Sequence, residues 1–253
     1  GARSRDPKLT MWYGVDPLFE KYPDMSPYNY CAGNPVKLID PDGRFPKSIL
    51  TFNPNLGLHG GYKYTKSATH LLSLVSGVNK TYIENAVVQK RAPGQYRPWY
   101  SSNSGGGAMV LASSSYNATI TFTQNWFDDD ASSYNGHGFG QNVMAWLFLS
   151  SHEVGHIPQI NQKGGLLGYL TSFGLEYAQH GHDNAPSEIE ADKGYQTLKS
   201  FNSFVNDTYG KNSIKNLFES DDSEAQKIKT IDKWWEAFQD FKKQQEDKSI
   251  YEF

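Results

Sequence analysis

The sequence predicts an α+β fold in which a strand-rich first half gives way to a helical second half. Three observations carry that expectation. Apolar and polar residues alternate with period two in Ala118-Thr119-Ile120-Thr121-Phe122-Thr123, as a half-exposed strand requires. From about Gly140 the rhythm changes to 3.6 residues, with Val143, Trp146, Leu147, Ser150 and Val154 on one stripe. Strands first and helices second, rather than in alternation, marks α+β.

The elements follow in order. Residues 1–44 are punctuated by Asp16-Pro17, Tyr22-Pro23, Ser26-Pro27, Asn34-Pro35 and Asp40-Pro41-Asp42-Gly43, which reads as short strands and tight turns. Residues 45–62 read as a polar, Gly-rich connection. A helix is expected from Ser67 to Val78, and strands from Thr81 to Lys90 and from Ala108 to Phe127. Ser101 to Gly107 is a loop. After the helix that begins near Gly140, a second runs from Gly165 to Gln179 and stops at Gly181. A third spans Ser187 to Asp207, with Leu198, Phe201 and Val205 on one stripe. A fourth covers Ile231 to Gln245, where Trp234 and Trp235 read as core and the lysines beyond Phe241 as a solvated face.

Composition excludes several classes. At 253 residues, 38% hydrophobic and 20% charged, the chain has ample apolar content for a core and too little charge excess for disorder. Its longest apolar run, Val143 to Leu149, is far short of a bilayer span, so no membrane insertion is expected. A net charge of −3 argues against a general nucleic-acid binder. Cys31 is the one cysteine, which removes intrachain disulfides and cysteine-based metal sites. The first residues, Gly-Ala-Arg-Ser, carry no apolar signal stretch and read as the start of a fragment.

Chemistry concentrates in His152-Glu153-Val154-Gly155-His156. On a helix, residues at i and i+4 lie nearly one above the other, so both imidazoles can reach one metal ion. Glu153, about 100° round the helix, sits at the rim of that face and can take a proton from an attacking water. Two imidazoles plus a carboxylate, with an open fourth position, suit Zn2+. Given the histidine and glutamate content, H-E-x-x-H is expected by chance only about 0.008 times in such a chain, so coincidence is a poor explanation.

A third ligand is required, and Ser187-Glu188-Ile189-Glu190-Ala191-Asp192 offers candidates. Glu188 and Asp192 share a helix face, whereas Glu190 lies about 200° from Glu188. Ser187 and Glu190 also have capping-box spacing, which gives Glu190 a local task. Glu188 is therefore the favoured ligand, and Asp192 the partner of a histidine's other ring nitrogen. A helix beginning at Asn184 would bring Glu190 back as a competitor. His180 and His182 flank the Gly181 stop, a placement the helix dipole favours by itself. Either of them, or Tyr177 or Tyr195, is a candidate hydrogen-bond donor to a developing oxyanion. Asp128-Asp129-Asp130 reads as a solvated turn and His137 as loop.

Two resemblances follow from these residues. Residues 1–44 resemble the end of the core of RHS/YD-repeat proteins through Gly1-Ala2-Arg3, Asp6-Pro7-Lys8-Leu9, Val15-Asp16-Pro17-Leu18, Ser26-Pro27-Tyr28-Asn29-Tyr30-Cys31 and Ile39-Asp40-Pro41-Asp42-Gly43-Arg44. The resemblance implies a β-shell remnant over residues 1–44 and a separate C-terminal effector domain over 45–253. It also implies an RHS cage in the parent chain, secretion or delivery into a target cell, and a neutralising immunity protein. The aspartates of self-cleaving members map to Asp16 and Asp40, but Phe19 and Pro23 stand where those members carry glycine. The second resemblance covers about residues 140–207. H-E-x-x-H followed by Glu188-x-x-Ala191-Asp192 is similar to gluzincin metallopeptidases. It implies a zincin-like domain that cleaves a protein or peptide substrate, with His152, His156 and Glu188 on zinc, Glu153 as general base and Asp192 supporting a histidine. It further implies an edge strand for substrate pairing, for which Ala118 to Phe127 is the candidate. Two other readings stay open: a zinc-stabilised binding module, in which His180 or His182 would close the metal site, and a zinc amidase acting on a cell-wall bond.

Overall fold

A computed structural model describes residues 49–53, 55–56, 61–90, 108–122 and 142–250. The expectations for residues 1–44, for the Ser101–Gly107 loop, for Asp128 to Asp130 and for His137 lie outside the described residues. Within them the fold is α+β. Five short strands, β1 (Leu50–Asn53), β2 (Gly61–Tyr64), β3 (Val87–Lys90), β4 (Ala108–Leu111) and β5 (Thr119–Phe122), form a mixed sheet in the order β1-β2-β3-β5-β4, and eight helices follow or interrupt it.

The sheet opens with β1 (Leu50–Asn53) and β2 (Gly61–Tyr64), an antiparallel pair in which Leu50 faces Tyr64. The polar connection expected over residues 45–62 is corrected here. Leu50 and Tyr64 are buried, while Thr51 is exposed and Lys63 half-buried. Gly61 permits the close approach of β3: a Cβ there would meet Val87 Cγ1 at 2.9 Å.

Helix α1 (Lys66–Ser76) has both ends written locally. The Thr65 hydroxyl accepts from the Ala68 N–H, and Gly77 closes the helix in the left-handed region at φ 71°. The strand expected from Thr81 to Lys90 is half helix. Asn79 Oδ1 accepts from Thr81 N–H at 2.9 Å and starts α2 (Lys80–Asn85), so that only Val87–Lys90 forms β3. The single strand expected from Ala108 to Phe127 is a hairpin, β4 (Ala108–Leu111) and β5 (Thr119–Phe122). Asn117 holds its turn, accepting from Ser114 N–H at 2.8 Å. Residues 123–127 lie outside the described residues.

Strand β5 is parallel to β3 on one side and antiparallel to β4 on the other, with Ile120 and Phe122 fully buried. Among the described residues β5 is therefore interior, its backbone edges already used, and the edge strand beside it is β4.

Helix α3 (Val143–Glu153) is capped by Asn142, and α4 (His156–Gln162) follows after a two-residue break. Helix α5 (Leu166–His180) ends at Gly181 as expected. Helix α6 (Pro186–Tyr209) starts with proline in its first turn, where the missing N–H costs nothing. Helix α7 (Ser213–Glu219) was not legible in the sequence, and α8 (Glu224–Ile250) begins a full turn and more before the expected Ile231. The start is set locally, with Ser223 Oγ accepting from Gln226 N–H at 3.3 Å and Gln226 Oε1 accepting from Ser223 N–H at 2.9 Å. The Glu224 carboxylate then accepts the Ser67 N–H at the head of α1.

One core joins these parts. Val88, Val110, Ile120 and Phe122 from the sheet meet Leu71 and Leu72 of α1, Trp146 and Leu147 of α3, Phe201 of α6 and Trp234 of α8. The Phe122 and Trp146 rings lie 4.8 Å apart and fasten the sheet to α3. Trp234 is a core side chain packed on Tyr209, whereas Trp235 is half-buried and packs against the core through Phe201. No described helix is long and apolar enough to cross a membrane.

Candidate metal centre

The H-E-x-x-H segment crosses the junction between α3 and α4 rather than lying inside one helix. Val154 and Gly155 nevertheless keep right-handed helical dihedrals, at φ −64° and −60°. Gly155 N–H bonds to the His152 carbonyl at 2.9 Å, a tighter i→i+3 turn. The direction of the chain is preserved, and the two histidines still face one side, their Nε2 atoms 3.3 Å apart.

Helix α6 delivers the third group. Glu188 Oε2 lies 3.1 Å from His152 Nε2 and 3.6 Å from His156 Nε2. The approach depends on small residues where α6 crosses α3. A Cβ on Gly194 would sit 2.2 Å from the Ser151 carbonyl oxygen, and one on Gly155 would sit 2.7 Å from Ala191 Cα. Glu190 is exposed and takes no part in the cluster. The expected capping box is not formed either, because Ser187 is engaged elsewhere. Its N–H and hydroxyl both donate to Glu176 Oε2 of α5. The other Glu176 oxygen accepts from Lys163 Nζ at 2.6 Å and Ser172 Oγ at 2.9 Å. Burial opposes the Glu176 charge, but the bonds from Lys163, Ser187 and Ser172 outweigh it and bring the carboxyl down to about 2.

Three donor atoms from His152, His156 and Glu188 thus form a small triangle, and these residues could hold a metal ion. Its edges of 3.1, 3.3 and 3.6 Å are close to the separation of about 3.3 Å that tetrahedral bonds of about 2.0–2.1 Å set between ligands of one metal ion. Among the described residues no fourth histidine, cysteine or carboxylate joins the triangle. His152 and Glu188 border a cleft of about 640 Å³ whose rim includes His182, Ile189 and Lys193.

Electrostatics fit the same use. Burial works against a charged His152, but its bond to Glu188 and the nearby Glu153, Glu188 and Asp192 charges push it up to about 9. In the metal-free protein a proton can then occupy the space between ring and carboxylate. Burial likewise opposes the Glu188 charge, yet bonding to both histidines holds its carboxyl well below the usual range. Glu153 is 5% exposed, and burial raises its pKa while the His156 and His152 charges lower it in part. A carboxyl in that setting binds a proton more readily than one in water.

The remaining expected residues sort by position. Asp192 Oδ1 faces His152 Nδ1 at 3.5 Å, across the ring from the metal side. His182 lines the cleft, pairs with Asp183 and sets its ring edge-on to Tyr177 at 5.1 Å. His180 ends α5 in an exposed position outside the ligand triangle. Tyr177 is half-buried against Phe173 with its hydroxyl pKa raised, by burial first and then by Glu188 and Asp183. Tyr195 packs its ring 5.4 Å from Phe148 of α3 and is not among the cleft residues.

Sequence reasoning missed three contributors. Gln159 bonds to His156, Glu176 holds the start of α6, and Tyr169 and Phe173 join the already expected Tyr177 in an aromatic wall along α5. The wall had a signal in its four-residue spacing, and Gln159 had one in lying a single turn beyond His156. Glu176 had only the four-residue spacing to Ser172 on its own helix, because its other partners, Lys163 at the end of α4 and Ser187 of α6, lie elsewhere in the chain. Comparison with protein-family models, curated proteins and solved structures gives no significant match to any of them.

Proposed function

We propose that this chain is a zinc-dependent peptidase, the C-terminal effector domain of an RHS-type protein. The observation that carries the proposal is the convergence of His152 Nε2, His156 Nε2 and Glu188 Oε2 within 3.1–3.6 Å, beside a buried carboxyl and an adjoining cleft. A closed structural site would need a fourth protein ligand, and neither His180 nor His182 joins the triangle.

Zinc would supply a Lewis acid that polarises the scissile carbonyl and acidifies water. The chain's own residues do the rest. Glu153 takes the proton of the attacking water and returns it to the departing amine, a task suited to a carboxyl whose proton affinity is raised by burial. Asp192 holds the His152 ring through Nδ1. His182, on the cleft rim, is the best placed of the expected donors to meet a developing oxyanion. With β5 enclosed, the edge of β4 is the candidate for pairing with an extended substrate.

The RHS part of the proposal rests on residues 1–44. With it come secretion or delivery into a target cell within a larger RHS protein, a protein or peptide target there, and an immunity protein in the producer.

The test is elemental analysis of the purified chain followed by a proteome-wide cleavage screen beside a peptidoglycan digest. About one zinc per chain, lost in a His152→Ala/His156→Ala double variant, with cleavage at peptide bonds, is expected. Glu153→Gln should keep the zinc and lose about 10²–10⁴-fold in turnover. Full activity in Glu153→Gln would reject the mechanism, and cleavage confined to peptidoglycan would replace the peptidase by an amidase.

A further inference from the structure

Gln159 lies one turn beyond His156 and is fully enclosed, and its amide touches two parts of the metal centre. Its Oε1 is 3.1 Å from His156 Nδ1, and its Nε2 donates to the Ser187 carbonyl at 2.8 Å. We infer that Gln159 is a positioning residue that fixes His156 as the tautomer whose Nε2 offers its lone pair to a divalent cation. In the same act it ties that histidine to the first turn of the helix carrying Glu188. The inference rests on the metal-centre reading above.

A backbone carbonyl only accepts, so the amide must present its NH2 group to Ser187. The amide oxygen is thereby turned toward His156, and it too only accepts. Nδ1 must then carry the hydrogen, which leaves Nε2 of the neutral ring unprotonated. A flipped amide would set oxygen against oxygen at Ser187 and lose that bond inside the protein.

The same contact matters for Glu188. Ser187 is gripped on one side by Glu176, through its N–H and hydroxyl, and on the other by Gln159, through its carbonyl. The residue immediately before Glu188 is therefore clamped from both α4 and α5. One amide couples the direction of an imidazole lone pair to the position of the carboxylate that must meet the same ion.

The test measures zinc affinity on the full chain, by competition with a chromophoric chelator, for the parent, Gln159→Met and Gln159→Glu. Met keeps the length and removes both hydrogen bonds. Glu keeps an acceptor for Nδ1–H and gives up the donor to Ser187. Loss of an outer partner of this kind costs 10–100-fold in affinity, so Met should fall by about that factor, while Glu, which keeps the Nδ1 acceptor and loses only the tie to Ser187, should fall by clearly less, about tenfold at most. Melting of the metal-free proteins should show both variants less stable, so stability and affinity part company only in Glu.

Equal affinity in all three proteins overturns the inference, as does an equal loss in both variants that follows their melting temperatures. If the parent itself binds no zinc, the metal reading fails and takes this inference with it, an outcome distinct from either of those. Should Gln159→Met not fold, long-range nitrogen-15 correlation spectra of the zinc-loaded parent read the tautomer directly. Metal on Nε2 with hydrogen on Nδ1 of His156 is expected, and the reverse overturns the inference.

Discussion

Gly194→Ala tests whether close contact between α3 and α6 assembles the site. The added methyl would lie 2.2 Å from the Ser151 carbonyl oxygen and 3.1 Å from Ser76 Cβ. Ordinary contact is more than 1 Å longer than the first of these, and backbone cannot swing aside as a side chain can. Helix α6 must therefore move away from α3, at about 1–3 kcal/mol for overpacking. Ala for Gly inside a helix by itself stabilises by about 1 kcal/mol, so the two effects oppose each other and the sign of the result is informative. A 2.2 Å approach to backbone puts the crowding at the upper end, about 2–3 kcal/mol, so a net loss of about 1–2 kcal/mol is expected, or about 2–8 °C in melting temperature for a chain of this size. Because α6 also carries Glu188, zinc affinity should fall by about tenfold or more. Gly174→Ala is the matched control: it is exposed on α5 with nothing within 4 Å of its added Cβ. That change should raise stability by about 0.5–1 kcal/mol. Differential scanning calorimetry in chelator and zinc titration measure both. A Gly194→Ala protein that melts at or above the parent, with parental zinc affinity, would refute the reasoning.

Two other expectations follow from the same geometry. Glu176 falls from an ordinary value of 4.5 to about 2 on folding. Its stabilisation is therefore complete above about pH 4.5 and is lost as pH falls through about 2. Glu176→Gln should cost about 1–2 kcal/mol at neutral pH, less than the full shift implies because solvent screens part of it. The gap from the parent should close between pH 4.5 and 2, and acid melts showing a constant gap would remove the charge from the explanation. Metal removal should silence the protein without unfolding it, because the sheet and α1, α3, α6 and α8 share an apolar core that owes nothing to the ligands. Far-UV circular dichroism should stay within about 10% of its starting value in chelator, and collapse of the helical signal would mark a structural metal instead.

How much was legible follows from how far each signal reaches along the chain. Helix α1 was legible as an element, although its expected end at Val78 overran Gly77, where the left-handed backbone closes it, and α5 was legible because Gly181 stops it. The two histidines could be paired because a four-residue spacing implies a shared face whether or not the helix is perfect. The break at Val154 and Gly155 spared that pairing because both residues stay helical in φ and ψ. Short elements failed instead. Strands β1 and β2, helix α2 and helix α7 have four to seven residues each, too few for periodicity to separate helix, strand and loop.

Local pattern also misjudged Ser187. Its spacing to Glu190 predicts a capping box, but Glu176 from another helix offers a charged acceptor, and Ser187 bonds there. That exchange helps set the first turn of α6 and leaves Glu188, rather than Glu190, inward.

By itself, then, the sequence determined the α+β order, the long helices and the face shared by His152 and His156, since those depend on residues within a turn or two of one another. Only the tertiary structure decided which carboxylate completes the triangle, what holds the His156 ring and which strand lies at the edge. Those choices depend on groups such as Gln159 and Ser187, 28 residues apart, and on glycines at a helix crossing. No periodicity reports them, because steric fit and hydrogen bonding act between neighbours in space, whatever their separation along the chain.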